Sequence, residues 1–281
     1  MTLNKVRYAI EGYKTPRPFS TDSIGTCLKY DTGVVDNWIR KLNKLTDSKN
    51  AMTGKSILEL GPGADLGIGL ILLASGAKKY SAVDVNPLAK SLPFEFYSKF
   101  FEYIKETISG ADTDFLKNQL ELYYKNSPDL LDYLVESDFS LSKLKLENID
   151  LIVSQAAFEH FDDVEQTISE ASKLVASGGH FFAVIDFQTH TRFLREKDPL
   201  NIYRYSEPIY NLLKFRGSPN RVRPEQYISL LRKYGWDKVI FEADKLESDH
   251  CTRSVRTFLN KGFRDDKYLS TLSGTLYATK R

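Results

Sequence analysis

Cysteine is scarce in this sequence: two in 281 residues, Cys27 and Cys251. They lie far apart and lack the close pairing of a zinc or redox site, so reduced thiols, a cytoplasmic setting and no metal are expected. An excess of either charge is missing too. Lysine and arginine number 39 against 37 acidic residues, a net charge of +2, which argues against a generally basic nucleic-acid binder. No apolar run reaches the roughly 18–20 residues of a membrane span. Met1 to Tyr8 carry no apolar core of the kind a signal peptide has. Internal repeats and low-complexity tracts are absent. What is there, 42% hydrophobic and 27% charged residues, is the composition of an ordinary folded domain. The length suits one large domain or a domain with an elaborate insertion.

The stretch from Ser56 to Gly67 stands out. Ser56 to Leu60 is an apolar run with one acidic break, Glu59, and reads as a buried strand. It passes into Gly61-Pro62-Gly63, and Gly67 to Ala74 reads as an apolar helix. Tyr80 to Val85 is the returning parallel strand, so the segment is a βαβ unit with Asp84 at its second strand end. Glycines in the first turn let a ligand approach the backbone. An acidic residue at the second strand end is placed to accept hydrogen bonds from ribose hydroxyls.

Two cofactor classes use such a unit. A dinucleotide site wants Gly-x-Gly-x-x-Gly/Ala, but here the sixth position is Leu66 and Glu59 precedes the first glycine. A carboxylate repels a pyrophosphate and attracts a cationic ligand. The segment resembles motif I of the class I S-adenosylmethionine-dependent methyltransferases, (Glu/Asp)-x-Gly-x-Gly, whose cofactor carries a sulfonium and an ammonium group. The resemblance implies an α/β, Rossmann-like fold: a seven-stranded, mostly parallel sheet with helices on both faces. Residues 1–50 are then an N-terminal arm and cap helix, and 51–281 the methyltransferase domain. It further implies cofactor contacts from Glu59, Gly61, Gly63, Asp84 and the adjoining Val85.

Residues 1–18 are polar, hold Pro16 and Pro18, and are expected to form an arm. Thr21-Asp22-Ser23 precedes a helical spacing of Val34, Val35, Trp38, Ile39, Leu42 and Leu45. Phe94, Tyr97, Phe100, Phe101 and Ile104 mark a further amphipathic helix, and 107–130 are helical in part. Leu131 to Val135 is the third strand. Asp138-Phe139 after it resemble the acidic and apolar pair that takes the adenine amino group and ring in this family; an Asp-containing turn is the alternative. Ile149 to Ser154 is the fourth strand, and Ser154 and Gln155 begin a stretch through Glu159-His160 that looks like the family's motif IV. Asp162 and Asp163 cap the next helix, Ser177-Gly178-Gly179 ends it, and His180 to Phe187 is the fifth strand. The resemblance covers residues 54–187. Arg221 to Trp236 also looks like a stretch of methyltransferases from bacterial surface-polysaccharide gene clusters.

An insertion at 187–224 departs from the chain average. Arg192, Arg195, Lys197, Arg204, Lys214, Arg216, Arg221 and Arg223 face Glu196, Asp198 and Glu207, eight minus three or +5. With interleaved aromatics, and Arg216 and Arg221 as ligands, this suits an anionic saccharide; a solvated lid is the alternative. Beyond it, Pro224 to Tyr234 reads as a helix, Trp236 to Ala243 as the sixth strand and Thr275 to Thr279 as the seventh. Methyl transfer is an in-line displacement that needs alignment and water exclusion. A hydroxyl acceptor adds a general base, for which His160, Asp186 and His190 are candidates. The expected function is methyl transfer to a small-molecule or saccharide hydroxyl. A non-catalytic cofactor-binding partner protein, a nucleic-acid methyltransferase and an NAD-dependent oxidoreductase are the alternatives. The sequence does not indicate an oligomeric state.

Overall fold

Seven strands form one sheet, β1 (Ser56–Leu60), β2 (Lys79–Asp84), β3 (Leu131–Val135), β4 (Ile149–Gln155), β5 (Val175–Asp186), β6 (Trp236–Leu246) and β7 (Thr271–Lys280), in the order β3-β2-β1-β4-β5-β7-β6. β1 pairs in parallel with β2 and β4, and β2 with β3. β6 and β7 pair antiparallel. The computed structural model describes residues 5, 6, 9, 10 and 20–281. The chain divides into two compact units. One takes the described residues of 15–155 with 173–182, the other those of 1–14 with 156–172 and 183–281. No helix among the described residues is long and apolar enough to cross a membrane.

In the first unit all five residues of β1 are buried, as expected of a strand covered on both faces. Helix α1 (Ile24–Thr46) presents Val34, Val35, Trp38 and Leu42 as its buried stripe. It packs on α2 (Gly67–Ala74), which is apolar all round and almost wholly buried. Ser23 precedes α1 without a side-chain capping bond; its hydroxyl meets that of Thr26 instead. The aromatic stripe splits: Phe94–Tyr97 is a 3-10 turn after Pro93, and α3 (Ser98–Thr107) buries Phe100, Phe101 and Ile104. Helix α4 (Thr113–Tyr124) is capped by Asp112, whose carboxylate accepts from the Asp114 and Phe115 amides.

Some expectations need correction. Lys5, Val6, Ala9 and Ile10 are helical, against the expectation of an arm without helix, and the rest of residues 1–18 lies outside the described residues. Helix α5 (Val164–Leu174) ends before the glycines, and Gly178-Gly179 lie inside β5. Asp163 does cap α5, its Oδ1 accepting from the Gln166 amide at 2.8 Å. The insertion is not a solvated lid throughout. It contains α6 (Arg192–Lys197), a 3-10 turn Asn201–Arg204 and α7 (Glu207–Leu213). Leu200, Ile202, Tyr203 and Tyr210 join Leu259, Leu269 and Leu272 in a core of the second unit. Helix α8 (Pro224–Lys233) packs on β6. The polar stretch before β7 carries two short helices, α9 (Asp249–Arg256) and α10 (Lys261–Arg264).

Two buried guanidinium groups hold that second core. Arg223 donates from Nε to Asp266 Oδ2 at 2.6 Å, from Nη1 to the Tyr203 hydroxyl, and from Nη2 to the Tyr268 carbonyl. Arg221 donates to the Ile202 and Tyr205 carbonyls and pairs with Glu207. Removing one partner of a buried pair leaves an uncompensated charge. Arg223→Ala is therefore expected to destabilise the protein by about 3–5 kcal/mol. Arg281→Ala, which removes the exposed pair with Asp237, is expected to change stability within experimental error. Urea denaturation of both variants checks this; equal midpoints would mean that Arg223 does not anchor the core.

Candidate active site

In the first unit the backbone leaves β1 through a turn with φ of 75° at Gly61 and 83° at Gly63. Only glycine adopts this without strain. The Gly61 amide donates to the Val83 carbonyl at 2.9 Å, which ties the turn to β2. Glu59 is 1% exposed and accepts from the Tyr80 hydroxyl at 2.5 Å. The β1–β2 register pairs Ile57 with Tyr80 and Glu59 with Ala82, so Glu59 and Tyr80 are diagonal neighbours on one face. Two further acids are buried nearby, Asp65 and Asp31. Asp65 Oδ1 accepts from the Gly67 amide at 2.9 Å. A Cβ at Gly67 would run into the Phe100 ring and the Asp31 carboxylate, so α1, α2 and α3 meet where only glycine fits. Burial, then the fields of Glu59, Asp65 and Asp31, push the Tyr80 hydroxyl pKa well above its ordinary value. These carboxylates give the turn a negative field, which suits a sulfonium and an ammonium group.

Asp65 was missed in the sequence, although a polar residue inside the glycine stretch is a signal for it. Asp31 gives no such signal, because only the packing of α1 brings it to the turn.

Asp84 ends β2, nearly buried, with Oδ1 accepting from the Asn86 amide at 3.0 Å. The Tyr133 hydroxyl donates to the Asn86 carbonyl at 2.6 Å and holds this turn. Val85 is half-buried just beyond it. Asp138 is exposed and pairs with Lys143, whose hydrogen bond holds its carboxyl down at about 2. Phe139 is buried with φ of 55°, a left-handed turn. Ser154 Oγ donates to the Leu60 carbonyl at 2.9 Å, and Gln155 Oε1 accepts from Trp38 Nε1 at 3.0 Å. Glu59, Asp84 and Ser154–Gln155 thus lie on the adjacent strands β1, β2 and β4.

In the second unit Glu159, His160 and His190 offer ligand-type atoms that all lie within 4.8 Å of one another. Glu159 and His160 sit in a 3-10 turn, Phe158–His160. Asn220 clamps that turn: its amide donates to the Glu159 carbonyl, and its Nδ2 to the carbonyls of Phe158 and Phe161. His160 Nδ1 lies 2.6 Å from the Gly217 carbonyl, and a carbonyl only accepts, so Nδ1 carries the proton. Burial and the neighbouring His190 hold the His160 imidazole down at about 3. The two rings meet edge to face at 4.7 Å. Asp186 ends β5; its Oδ2 lies 3.6 Å from His190 Nε2 and 2.7 Å from Arg195 Nη2. Burial pushes its carboxyl up, but His190 and Arg195 outweigh this and hold it at about 2. Glu159 is buried, and burial with the field of Asp186 raises its pKa well above the carboxylate range. The three predicted catalytic residues therefore converge, and Glu159 joins them.

The predicted acceptor arginines part company. Arg216 is exposed. Arg221 is 5% exposed and spends its donors inside the fold, which corrects its expected place on an acceptor-facing surface.

Residues 58–183 match the family described as methyltransferase domain. A solved structure of the CurJ carbon methyltransferase aligns with 16% identity and a TM-score of 0.51, covering 99% of this chain and 64% of that one. A putative sarcosine dimethylglycine methyltransferase from Galdieria sulphuraria aligns at 14% identity and TM-score 0.47, covering 99% and 98%. A phosphoethanolamine N-methyltransferase from Haemonchus contortus, solved with S-adenosylmethionine, aligns at 14% and 0.44, covering 85% and 52%. No curated protein sequence matches the chain. Residues 58–183 thus resemble a methyltransferase domain, and the fold is one that solved methyltransferases share. The chain spans just under two thirds of the length of the CurJ structure.

Asp84→Ala is expected to weaken S-adenosylmethionine binding tenfold or more, since each charge-assisted hydrogen bond contributes about 1.5–3 kcal/mol. Gly61→Val, forced to a positive φ, is expected to abolish binding. Calorimetric titration, with circular dichroism to confirm folding, checks both. Wild-type affinity in folded Asp84→Ala would rule out this ribose contact.

Proposed function

We propose that the protein transfers the methyl group of S-adenosylmethionine to a hydroxyl oxygen of a small-molecule or saccharide acceptor. The convergence of Glu159, His160, Asp186 and His190 carries this reading. An oxygen acceptor must lose a proton as the bond to carbon forms, and these residues follow the carboxyl ends of β4 and β5, where open α/β sheets bind ligands. The acceptor oxygen supplies the electron pair of the new C–O bond. The S–C bond breaks, its pair stays on sulfur, and S-adenosylhomocysteine leaves. The hydroxyl proton passes to His190, oriented by Asp186 beside it, while neutral His160 lines the site.

In the first unit Asp84 holds the ribose hydroxyls, and Asp138 with Phe139 takes the adenine. The carboxylates of Glu59, Asp65 and Asp31 favour the cationic methionyl end, and Val85, Gly61, Gly63, Ser154 and Gln155 shape the backbone around it.

The basic insertion supports an anionic acceptor less strongly than its charge count implies. Arg195, Arg204, Arg221 and Arg223 are each paired with a carboxylate in the fold. They account for four of its eight basic residues. Arg216, which is exposed, is the contact to an acceptor phosphate or carboxylate in this reading.

His190→Ala is expected to lower kcat by about 10²–10⁴-fold, the usual contribution of a general base, with S-adenosylmethionine affinity unchanged. A panel of hydroxylated acceptors with labelled cofactor, assayed across pH, checks this. Unchanged turnover would remove His190 from the proton path. Methylation confined to nitrogen or carbon acceptors would overturn the hydroxyl reading. Arg216→Ala is expected to raise the KM of a phosphorylated acceptor by up to about fivefold, the scale of one exposed ion pair, and added salt to do the same. Salt-independent kinetics identical to wild type would remove Arg216 from the acceptor site.

A further inference from the structure

We propose that Glu159, His160 and His190 form a binding site for a divalent transition-metal cation. Two imidazoles and one carboxylate are a donor set that suits zinc, iron or manganese better than calcium or magnesium. Their ligand atoms already lie within 4.8 Å of one another. Metal bonds of about 2.0–2.2 Å place neighbouring ligand atoms roughly 3.4 Å apart, so small side-chain rotations complete the site.

Three independent features point to a cation. Glu159 is 3% exposed, and its carboxylate has no side-chain partner, only the backbone amides of Glu159 and Asp186 beside it. A buried carboxyl group left this way is costly unless something pairs with it. His160 donates Nδ1–H to the Gly217 carbonyl at 2.6 Å, which leaves the Nε2 lone pair as its ligand atom. Bonding of the second ring nitrogen to a backbone carbonyl is how metal-binding histidines are oriented. Finally, the Arg195 guanidinium, 2.7 Å from Asp186, pairs with that carboxylate, and among the described residues no side-chain cation pairs with Glu159. A divalent cation that displaced the Glu159 proton would meet one carboxylate and two neutral imidazoles.

The turn that carries Glu159 and His160 is held by three hydrogen bonds from Asn220, so two of the ligands are fixed before a metal arrives. Three protein ligands leave coordination positions open. An acceptor hydroxyl, or a pair of neighbouring hydroxyls on a saccharide, is the oxygen donor that such positions take. This role for the cation rests on the hydroxyl reading, with the cation replacing His190 as the group that activates the acceptor, since a metal-bound imidazole has no lone pair left for the proton; the site itself does not rest on it.

The test is binding of the metal alone to full-length, chelator-treated protein. Titration calorimetry with Zn²⁺ is expected to show one site of micromolar affinity or tighter, and Co²⁺ to develop a visible absorption band. Zn²⁺ is expected to raise the melting temperature of the wild type. Glu159→Gln and His190→Ala are each expected to weaken binding at least tenfold, with S-adenosylmethionine affinity retained as the sign of a folded protein. His250→Ala, an exposed histidine outside the cluster, is expected to bind as the wild type does. Absence of a stoichiometric site, or equal affinity in Glu159→Gln and wild type, overturns the proposal. Hydroxyl methylation undiminished by chelator would overturn the cation's role and leave the hydroxyl reading standing. Metal binding at these residues without any hydroxyl methylation would uphold the site and sink that reading.

Discussion

The positive φ at Gly61 is the constraint on which the first unit depends. It turns the chain out of β1 while the Gly61 amide stays bonded to the Val83 carbonyl, so β1 and β2 finish side by side. Glu59 then lies beneath the turn and Asp84 at the neighbouring strand end. A side chain at Gly61 would strain the backbone and part these two groups. Helix α2 begins directly after the turn, and its bulky apolar surface is sealed by α1 and α3. The tight fit around Gly67 belongs to the same arrangement, since Phe100 and Asp31 approach where a Cβ would stand.

The buried acids of that unit suit a cationic ligand. Glu59 accepts from Tyr80, and Asp65 bonds the first amide of α2. Such groups cost desolvation on burial, and a sulfonium or ammonium nearby returns part of that cost. A dinucleotide pyrophosphate would add to the repulsion instead. The methyltransferase domain match and the local electrostatics therefore agree, and the NAD-dependent alternative has no support from either.

The second unit follows a different logic. Its arginines cross-brace loops that lack regular hydrogen-bonding partners. Arg223 alone reaches Asp266, Tyr203 and the Tyr268 carbonyl, closing carbonyls that loops would otherwise bury unpaired. Planar guanidinium groups with several donors do this where lysine could not. Asn220 plays the corresponding part for the turn of Glu159 and His160. The histidine cluster is thus built on braced loops rather than on a helix or strand interior.

The sequence alone determined the βαβ unit and most strand positions. Apolar runs, glycine turns and an acidic strand end are local signals, and β3 is found where Leu131 to Val135 predicted it. His160, Asp186 and His190, polar groups at or just past strand ends, are close in space as their positions suggested. Tertiary structure decided the rest. The +5 count of the insertion looked like a ligand surface because a sequence does not show which charges are paired; Glu207 and Asp266 turn Arg221 and Arg223 into core braces. Asp31 joins the glycine turn through helix packing, and Glu159 meets His190 only when β5 has returned the chain. Ionic pairing and burial depend on distance in space. Sequence spacing predicts that distance within one helix, strand or turn and loses it once the chain crosses the sheet.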